Sequence, residues 1–127
     1  MKILLDTHIL LWAAAGTLPA EAARYVEDRA NTLLFSPASL WEIVIKRGLG
    51  RADFDVDPAA LYSGLCGAGY EELAITARHT LYVSSLPPIH KDPFDRLLLA
   101  QAAYEGIPLV SADKTLLQYP GSVIVIG

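Results

Sequence analysis

Short, largely apolar runs recur along the chain at Lys2–Leu5, Leu33–Phe35, Leu73–Ile75, Leu109–Ser111 and Val123–Ile126, the third being the weakest. They are continuous rather than alternating, which is the pattern of strands covered on both faces. Helical stretches with readable ends lie between them. Pro19 opens one that runs to about Arg29. Ser36 and Pro37 open another, closed by Lys46, Arg47 and Gly48. Asp57 and Pro58 start a third, Thr76 caps a fourth, and Asp92 with Pro93 begins a fifth that stops at Gly106. Strands alternating with helices predict an α/β fold: three layers around a mostly parallel sheet.

A chain of 127 residues is expected to form one domain, residues 1–127, burying roughly two-thirds of the surface its unfolded form exposes. Hydrophobic residues make up 53% of it and the mean hydropathy is +0.34. That is rich for so small a protein, and it implies a fully covered sheet with an apolar patch left for a partner. The net charge of −4 excludes a general nucleic-acid coat protein, which needs clustered Lys and Arg to neutralise phosphates. It leaves room for an enzyme with a local basic rim. The single cysteine, Cys66, excludes an internal disulfide and a multi-cysteine zinc site, and a reducing cytoplasm fits. The first sixteen residues have the lysine, apolar stretch and small residues of a secretory signal. Asp6 and His8 cut that stretch near its middle, so the segment is read as the first core strand. No run approaches the ~20 apolar residues of a membrane span.

In a parallel α/β sheet, strand C-termini and helix N-termini share one edge, and that edge is where ligands bind. Asp6 follows the first strand. Glu42 lies in the first two turns of the helix after the second. Asp92 and Asp95 start the helix preceding the fourth strand, and Asp113 comes two residues after that strand. Each has a structural reading. Ser39-Leu40-Trp41-Glu42 fits a capping box, but Pro37 favours Ser36 as the cap and leaves Glu42 inside the helix. Asp92 before Pro93 is a good N-cap. Asp95 complements the helix dipole, although it sits between Phe94 and Leu97-Leu98-Leu99. Asp113 suits a turn capping a short helix over Thr115–Gln118. Asp6 is the hardest to explain structurally, because no cation is near it in sequence. Carboxylates gathered without one repel and raise each other's pKa. A hard divalent cation, Mg²⁺ or Mn²⁺, removes the conflict, so Asp6 is read as a metal ligand.

His8, His79 and His90 lack zinc-ligand spacing. His8 is placed near the site as an orienting residue, and the other two as surface or capping residues. No P-loop, GxGxxG or GxSxG sequence occurs. Thr7 and Ser111 are candidate donors to the carboxylates. Lys46, Arg47, Arg51, Lys91, Arg96 and Lys114 are candidates, as a group, to seat a phosphate backbone. Leu10, Leu11, Trp12, Tyr25 and Trp41 are expected on helices near the active edge, where they could groove a partner's amphipathic helix.

Four segments together resemble the PIN-domain family: Asp-Thr-His at the first strand end, Ser-Pro-Ala-Ser-Leu-Trp-Glu-Ile, His-Lys-Asp-Pro-Phe-Asp-Arg-Leu-Leu-Leu-Ala-Gln-Ala, and Leu-Val-Ser-Ala-Asp. More narrowly they resemble the VapC-type toxins of bacterial toxin–antitoxin pairs, over nearly the whole chain. The resemblance implies a five-stranded sheet ordered 3-2-1-4-5 and a Mg²⁺- or Mn²⁺-dependent endoribonuclease acting on RNA. It implies that Asp6, Glu42, Asp95 and Asp113 form the acidic set, with Glu42 acting directly or through water, and that Asp92 is an extra acid of the subgroup. A cognate antitoxin that wraps the toxin, and a homodimer, are further implications. Two alternatives compete. A non-catalytic PIN-like module binding RNA or protein should have lost one of the four acids, and none is missing. A receiver-like phosphoacceptor domain should carry an acidic pair after the first strand and a phosphorylatable Asp after the third, where this chain has Thr76 and Ala77.

Overall fold

The computed structural model describes residues 1–50, 54–89, 92–119 and 121–126. Five strands form one sheet: β1 (Lys2–Leu5), β2 (Thr32–Phe35), β3 (Glu71–Glu72), β4 (Leu109–Ser111) and β5 (Val123–Val125). All pair in parallel, in the order β3-β2-β1-β4-β5. The register sets Ile3 beside Leu33, Leu4 beside Leu109 and Val110 beside Ile124. Helices cover both faces: α1 (Thr7–Ala15), α2 (Ala20–Val26), α3 (Pro37–Gly48), α4 (Pro58–Gly67), α5 (Ala77–Tyr82) and α6 (Pro93–Glu105). Two 3₁₀ turns, Val83–Ser85 and Lys114–Gln118, complete the order.

The continuous apolar runs are explained by what lies on each face. Successive strand side chains point to opposite sides. Ile3 and Leu5 therefore join Ile9, Phe35, Ile43, Leu61, Leu65 and Val110 in one core. Leu4 joins Leu34, Leu98, Leu99, Leu109 and Leu116 in the other. With Ile3, Leu4 and Leu5 of β1 fully buried, a polar residue after Lys2 has no solvated face to occupy until the strand ends.

Helix ends follow the expected chemistry. Ser36 caps α3 by accepting from Ala38 N–H at 3.1 Å, with Pro37 in the first turn. Asp57 caps α4. Asp92 caps α6, accepting from Phe94 N–H at 2.9 Å and Asp95 N–H at 3.4 Å. Gly106 closes α6 with φ of 69° and Gly16 closes α1 with φ of 73°, a left-handed geometry that a Cβ would strain. Thr76 caps α5 together with His79, whose Nδ1 accepts from Thr76 N–H at 3.1 Å. His79 is not on the surface: it is buried, and its other ring nitrogen lies 2.8 Å from Glu105 Oε2. Because Nδ1 accepts, the neutral ring donates from Nε2 to Glu105.

Two boundaries differ from expectation by more than one residue. The helix expected to reach Arg29 ends at Val26, where Asp28 turns the chain by accepting from Ala30 N–H through its side chain at 2.9 Å and offers the backbone an alternative to the helix. The third strand, expected at Leu73–Ile75, is Glu71–Glu72. Glu71 and Glu72 lie at the sheet's exposed edge, so their pairing carries no apolar signal. Leu73 still donates to Phe35 O at 2.8 Å while its side chain packs into the second core.

Arg96, on α6, ties down the segment leading into that helix. Its guanidinium donates to Pro87 O at 2.9 Å, Val83 O at 3.2 Å and Tyr119 Oη at 3.2 Å. A planar fork with five donors spread over three nitrogens can span acceptors set apart from one another; an ammonium, whose three donors sit on one nitrogen, spans less. Arg96→Lys is therefore expected to lower stability by about 2 kcal/mol. Thermal denaturation checks this, and an unchanged Tm would mean that the fork is not a structural tie.

Candidate active site

Asp6 is placed by the sheet before its side chain makes any contact. Its N–H donates to Val110 O at 3.0 Å, extending the β1–β4 pairing by one residue. Its extended backbone then turns into α1, of which it is the N-cap. Oδ1 accepts from Ile9 N–H at 3.0 Å. Oδ2 accepts from Ser111 Oγ at 2.5 Å and from Ala112 N–H at 3.3 Å. The partner that Asp6 needs is thus supplied without any cation, by a helix N-terminus and the end of β4. The sequence cue was present in Asp6-Thr7-His8-Ile9, an N-cap spacing directly after a strand. These bonds and the nearby His8 favour the ionised form, but burial outweighs them and raises the Asp6 pKa above its ordinary 3.8.

Ser111 joins Asp6 to a second acid. Its Oγ donates to Asp6 and accepts from Asp113 N–H at 3.0 Å. Asp113 in turn caps the 3₁₀ turn, accepting from Thr115 N–H at 2.9 Å. Thr7 makes the matching link to Glu42. Its Oγ1 lies 2.7 Å from Glu42 Oε1 and 2.9 Å from Ser39 Oγ. One hydroxyl proton cannot serve both oxygens. The carboxylate can only accept, so Thr7 donates to Glu42 and receives from Ser39. Glu42 is buried inside α3, one turn after Ser39, and its outer oxygen pairs with Lys46 Nζ at 3.2 Å. Ser39 had a visible cue as well, the three-residue spacing in Ser39-Leu40-Trp41-Glu42; the pair is internal to the helix and does not cap it.

Two hydrogen-bonded groups therefore lie side by side at this edge: Ser111 joins the Asp6 carboxylate to the Asp113 backbone, and Thr7, next to Asp6 in the chain, joins Glu42 to Ser39. Asp95, half-buried, reaches the same edge on the first turn of α6, whose dipole favours a carboxylate there. The N-terminal turns of α3 and α6 meet at this edge, where the Trp41 and Phe94 rings pack edge to face at 5.4 Å. Among the described residues no three acidic, His or Cys side chains close around a single point as ligands. The donor set nonetheless consists of carboxylate oxygens, and it suits a hard cation that uses one or two carboxylates and keeps its waters.

The other expected residues divide. His8 is exposed, with its ring 6.3 Å from that of Trp12. Arg47 pairs with Asp55 and Asp57 at the surface. Arg96 is absorbed by the fold, Lys114 is exposed, and Arg51, His90 and Lys91 fall outside the described residues. Leu10 is core, not groove, because α1 turns it beneath the sheet's first face. Leu11, Trp12 and Tyr25 are half-buried against that core. Trp41 is 62% exposed. A groove of about 470 Å³ lies between α1 and α4, lined by Ala13, Ala14, Leu61, Leu65 and Tyr70 among others.

The raised pKa of Asp6 has a defined sign for stability. Ionisation is harder in the folded than in the unfolded chain. The contribution of Asp6 is therefore complete below about pH 3.8 and is lost as pH rises through its folded value. In metal-free buffer the Tm of Asp6→Asn minus that of the wild type is expected to increase from pH 4 to pH 7. A flat or falling difference would show that the bonds from Ile9 and Ser111 outweigh burial.

Comparison with known proteins places this geometry. A family profile for the PIN domain matches residues 3–121. No curated protein sequence matches the chain. Among solved structures, VapBC2 from Rickettsia felis bound to a DNA fragment from its promoter is similar at 20% identity and a TM-score of 0.73, covering 100% of both chains. DNA-bound VapBC from Salmonella typhimurium is similar at 16% identity and a TM-score of 0.69, covering 98% of this chain and 96% of that one. A toxin–antitoxin complex from Klebsiella pneumoniae follows at 18% and 0.65, covering 96% and 95%. With the sheet order and the acidic edge already in place, the profile match over most of its length assigns the chain to the PIN domain family.

Proposed function

We propose that this protein is a VapC-type toxin: a metal-dependent endoribonuclease, formed by one domain over residues 1–127, that hydrolyses RNA phosphodiester bonds. The observation that carries the reading is the gathering of acids at one sheet edge: the buried Asp6 carboxylate at the end of β1, which Ser111 links to the Asp113 backbone, and Glu42, which is held by Thr7, the residue after Asp6. A purely structural N-cap needs none of this, since an exposed Ser or Asn would satisfy Ile9 N–H equally well.

Asp6, Asp95 and Asp113 would hold Mg²⁺ or Mn²⁺, with Glu42 contributing directly or through water. Such a cation, when bound, supplies Lewis acidity at the phosphate and lowers the pKa of bound water. The chain's own residues do the positioning. Ser111 holds Asp6 Oδ2 and the Asp113 backbone in a fixed relation. Thr7 and Lys46 divide the Glu42 carboxylate, one holding its buried oxygen and the other its outer one. The first turn of α6 directs peptide dipoles at the edge where a phosphate must enter.

The similar structures are toxin–antitoxin complexes, which supports an antitoxin partner for this chain. The apolar groove between α1 and α4 suits an amphipathic helix. An arginine of that partner could pair with the acidic edge by charge-assisted hydrogen bonds. A homodimer and a cytoplasmic setting complete the reading; among the described residues no helix is long and apolar enough to cross a membrane.

Purified protein incubated with structured RNAs and Mg²⁺ or Mn²⁺ is expected to cleave, and EDTA to stop it. Asp6→Asn should lower the rate at least 100-fold while remaining folded. Cleavage by Asp6→Asn at the wild-type rate, or cleavage in EDTA, would refute the metal reading. Millimolar metal should also raise the wild-type Tm by mass action, and the shift should shrink in Asp95→Asn. A small protein encoded beside this one should co-purify with it and inhibit cleavage. A neighbour that never co-purifies, together with harmless overexpression of this chain alone, would remove the toxin assignment and leave the nuclease chemistry standing.

A further inference from the structure

Trp41 is out of keeping with its surroundings. Glu42 and Ile43, which follow it on α3, are buried, whereas Trp41 is 62% exposed. Both cores are complete without it, since it belongs to neither cluster. A large ring left in water forgoes the burial that normally retains tryptophan in a small domain. It is not loose, however. Phe94 packs against it with ring centroids 5.4 Å apart and planes at 81°, the edge-to-face geometry aromatic pairs prefer. Phe94 is itself anchored on the second core. One ring is thus held by another that is fixed in the fold.

The position of the pair matters more than its exposure. Trp41 immediately precedes Glu42 and Phe94 immediately precedes Asp95, so each aromatic is one residue from a candidate catalytic acid. The two helices that carry them meet at the edge where Asp6 and Asp113 emerge. Unstacked bases of single-stranded RNA are held by stacking on aromatic rings, and this supplies binding where a net-negative protein has few free cations. Among the described residues Lys46 is paired with Glu42 and Arg96 is engaged within the fold, while Lys114 is exposed beside Asp113, so a stacking ring would add to the charge available at this edge.

We propose that Trp41, braced by Phe94, is a stacking platform for a nucleobase beside the scissile phosphate and therefore helps to determine which bases are cut. The proposal rests on the nuclease reading above and adds a recognition residue to it. The competing occupant is a protein. Val44 and Ile45 on α3 and Leu49 at its C-cap are also exposed, and Trp41, Ile45 and Leu49 follow one another at four-residue spacing. That apolar stripe leads away from the active edge, with Leu49 about 12 Å further along the helix axis. The Trp41–Phe94 pair is at the end next to the acids, which favours RNA as its occupant.

The test uses hexamers of A, U and C carrying a fluorescent end label, bound to the cleavage-deficient Asp6→Asn protein, together with cleavage by otherwise wild-type protein. Trp41→Leu keeps an apolar side chain but removes the ring, and should weaken hexamer binding by roughly 5-fold or more, the lower end of measured losses for one stacked base. Trp41→Phe should stay within about 3-fold, because a ring remains to stack. In Trp12→Phe, where Trp41 is the sole indole, its fluorescence should fall on adding a hexamer. In cleavage, Trp41→Leu should raise KM more than it lowers kcat and should alter the base preference. Hexamer binding, KM and base preference all unchanged in a folded Trp41→Leu would overturn the proposal, and if the same variant also lost its co-purifying partner the face would belong to protein. Wild-type protein that cuts RNA while Trp41→Leu behaves identically refutes stacking alone. Ring-dependent binding with quenching but no cleavage by any preparation supports the platform and refutes the nuclease. Absence of both binding and cleavage in the wild type refutes both.

Discussion

The carboxylate of Asp6 is the point through which the sheet, the first helix and the acidic edge are mechanically connected. Its backbone extends β1 along β4, its Oδ1 begins α1, and its Oδ2 is gripped by the end of β4 through Ser111. Removing any of these holds would free the direction in which the chain leaves the sheet. Two central strands and one helix are therefore registered to each other by a group whose charged form is disfavoured by its own burial. Such a group is retained at a cost to stability, which is the pattern expected where function rather than folding selects the residue.

The same economy extends outward. Thr7, next along from Asp6, uses its single proton on Glu42 and takes one from Ser39. Asp113 uses its side chain on the following turn while its backbone serves Ser111. Asp6, Glu42 and Asp113 thus each have a capping or bracing role that fixes the rotamer before any ligand arrives. Preorganisation of this kind keeps the ordering penalty out of the binding step. On the proposed function it also explains how one cluster could serve both fold and chemistry. The caps use some carboxylate lone pairs, and a cation with a partly aqueous shell needs only a few of those remaining.

The two aromatic-flanked acids, Glu42 and Asp95, sit on helices that face each other across the edge, and the Trp41–Phe94 contact is where those helices touch on the solvent side. On the proposed function the two binding surfaces are distinct: an amphipathic helix would enter the α1–α4 groove from the face of the first core, whereas a strand of RNA would meet the sheet edge end-on. That separation would let inhibition act through a side chain reaching in rather than through occupation of the whole site.

The sequence by itself determined the α/β class, four of the five strands, most helix caps and which acids stand at strand and helix ends. Those features are written in local chemistry: continuous apolar runs, Ser-Pro and Asp-Pro caps, and carboxylates placed at strand and helix ends. The tertiary structure decided what local chemistry does not encode. It placed β3 at Glu71–Glu72, because an edge strand carries no burial pattern. It buried His79 by bringing Glu105 to it from twenty-six residues away, and it turned Arg96 into a tie within the fold. It also answered why Asp6 interrupts an apolar run. The hydroxyl that holds it lies 105 residues along the chain, at a distance in sequence that only the parallel pairing of β1 with β4 closes.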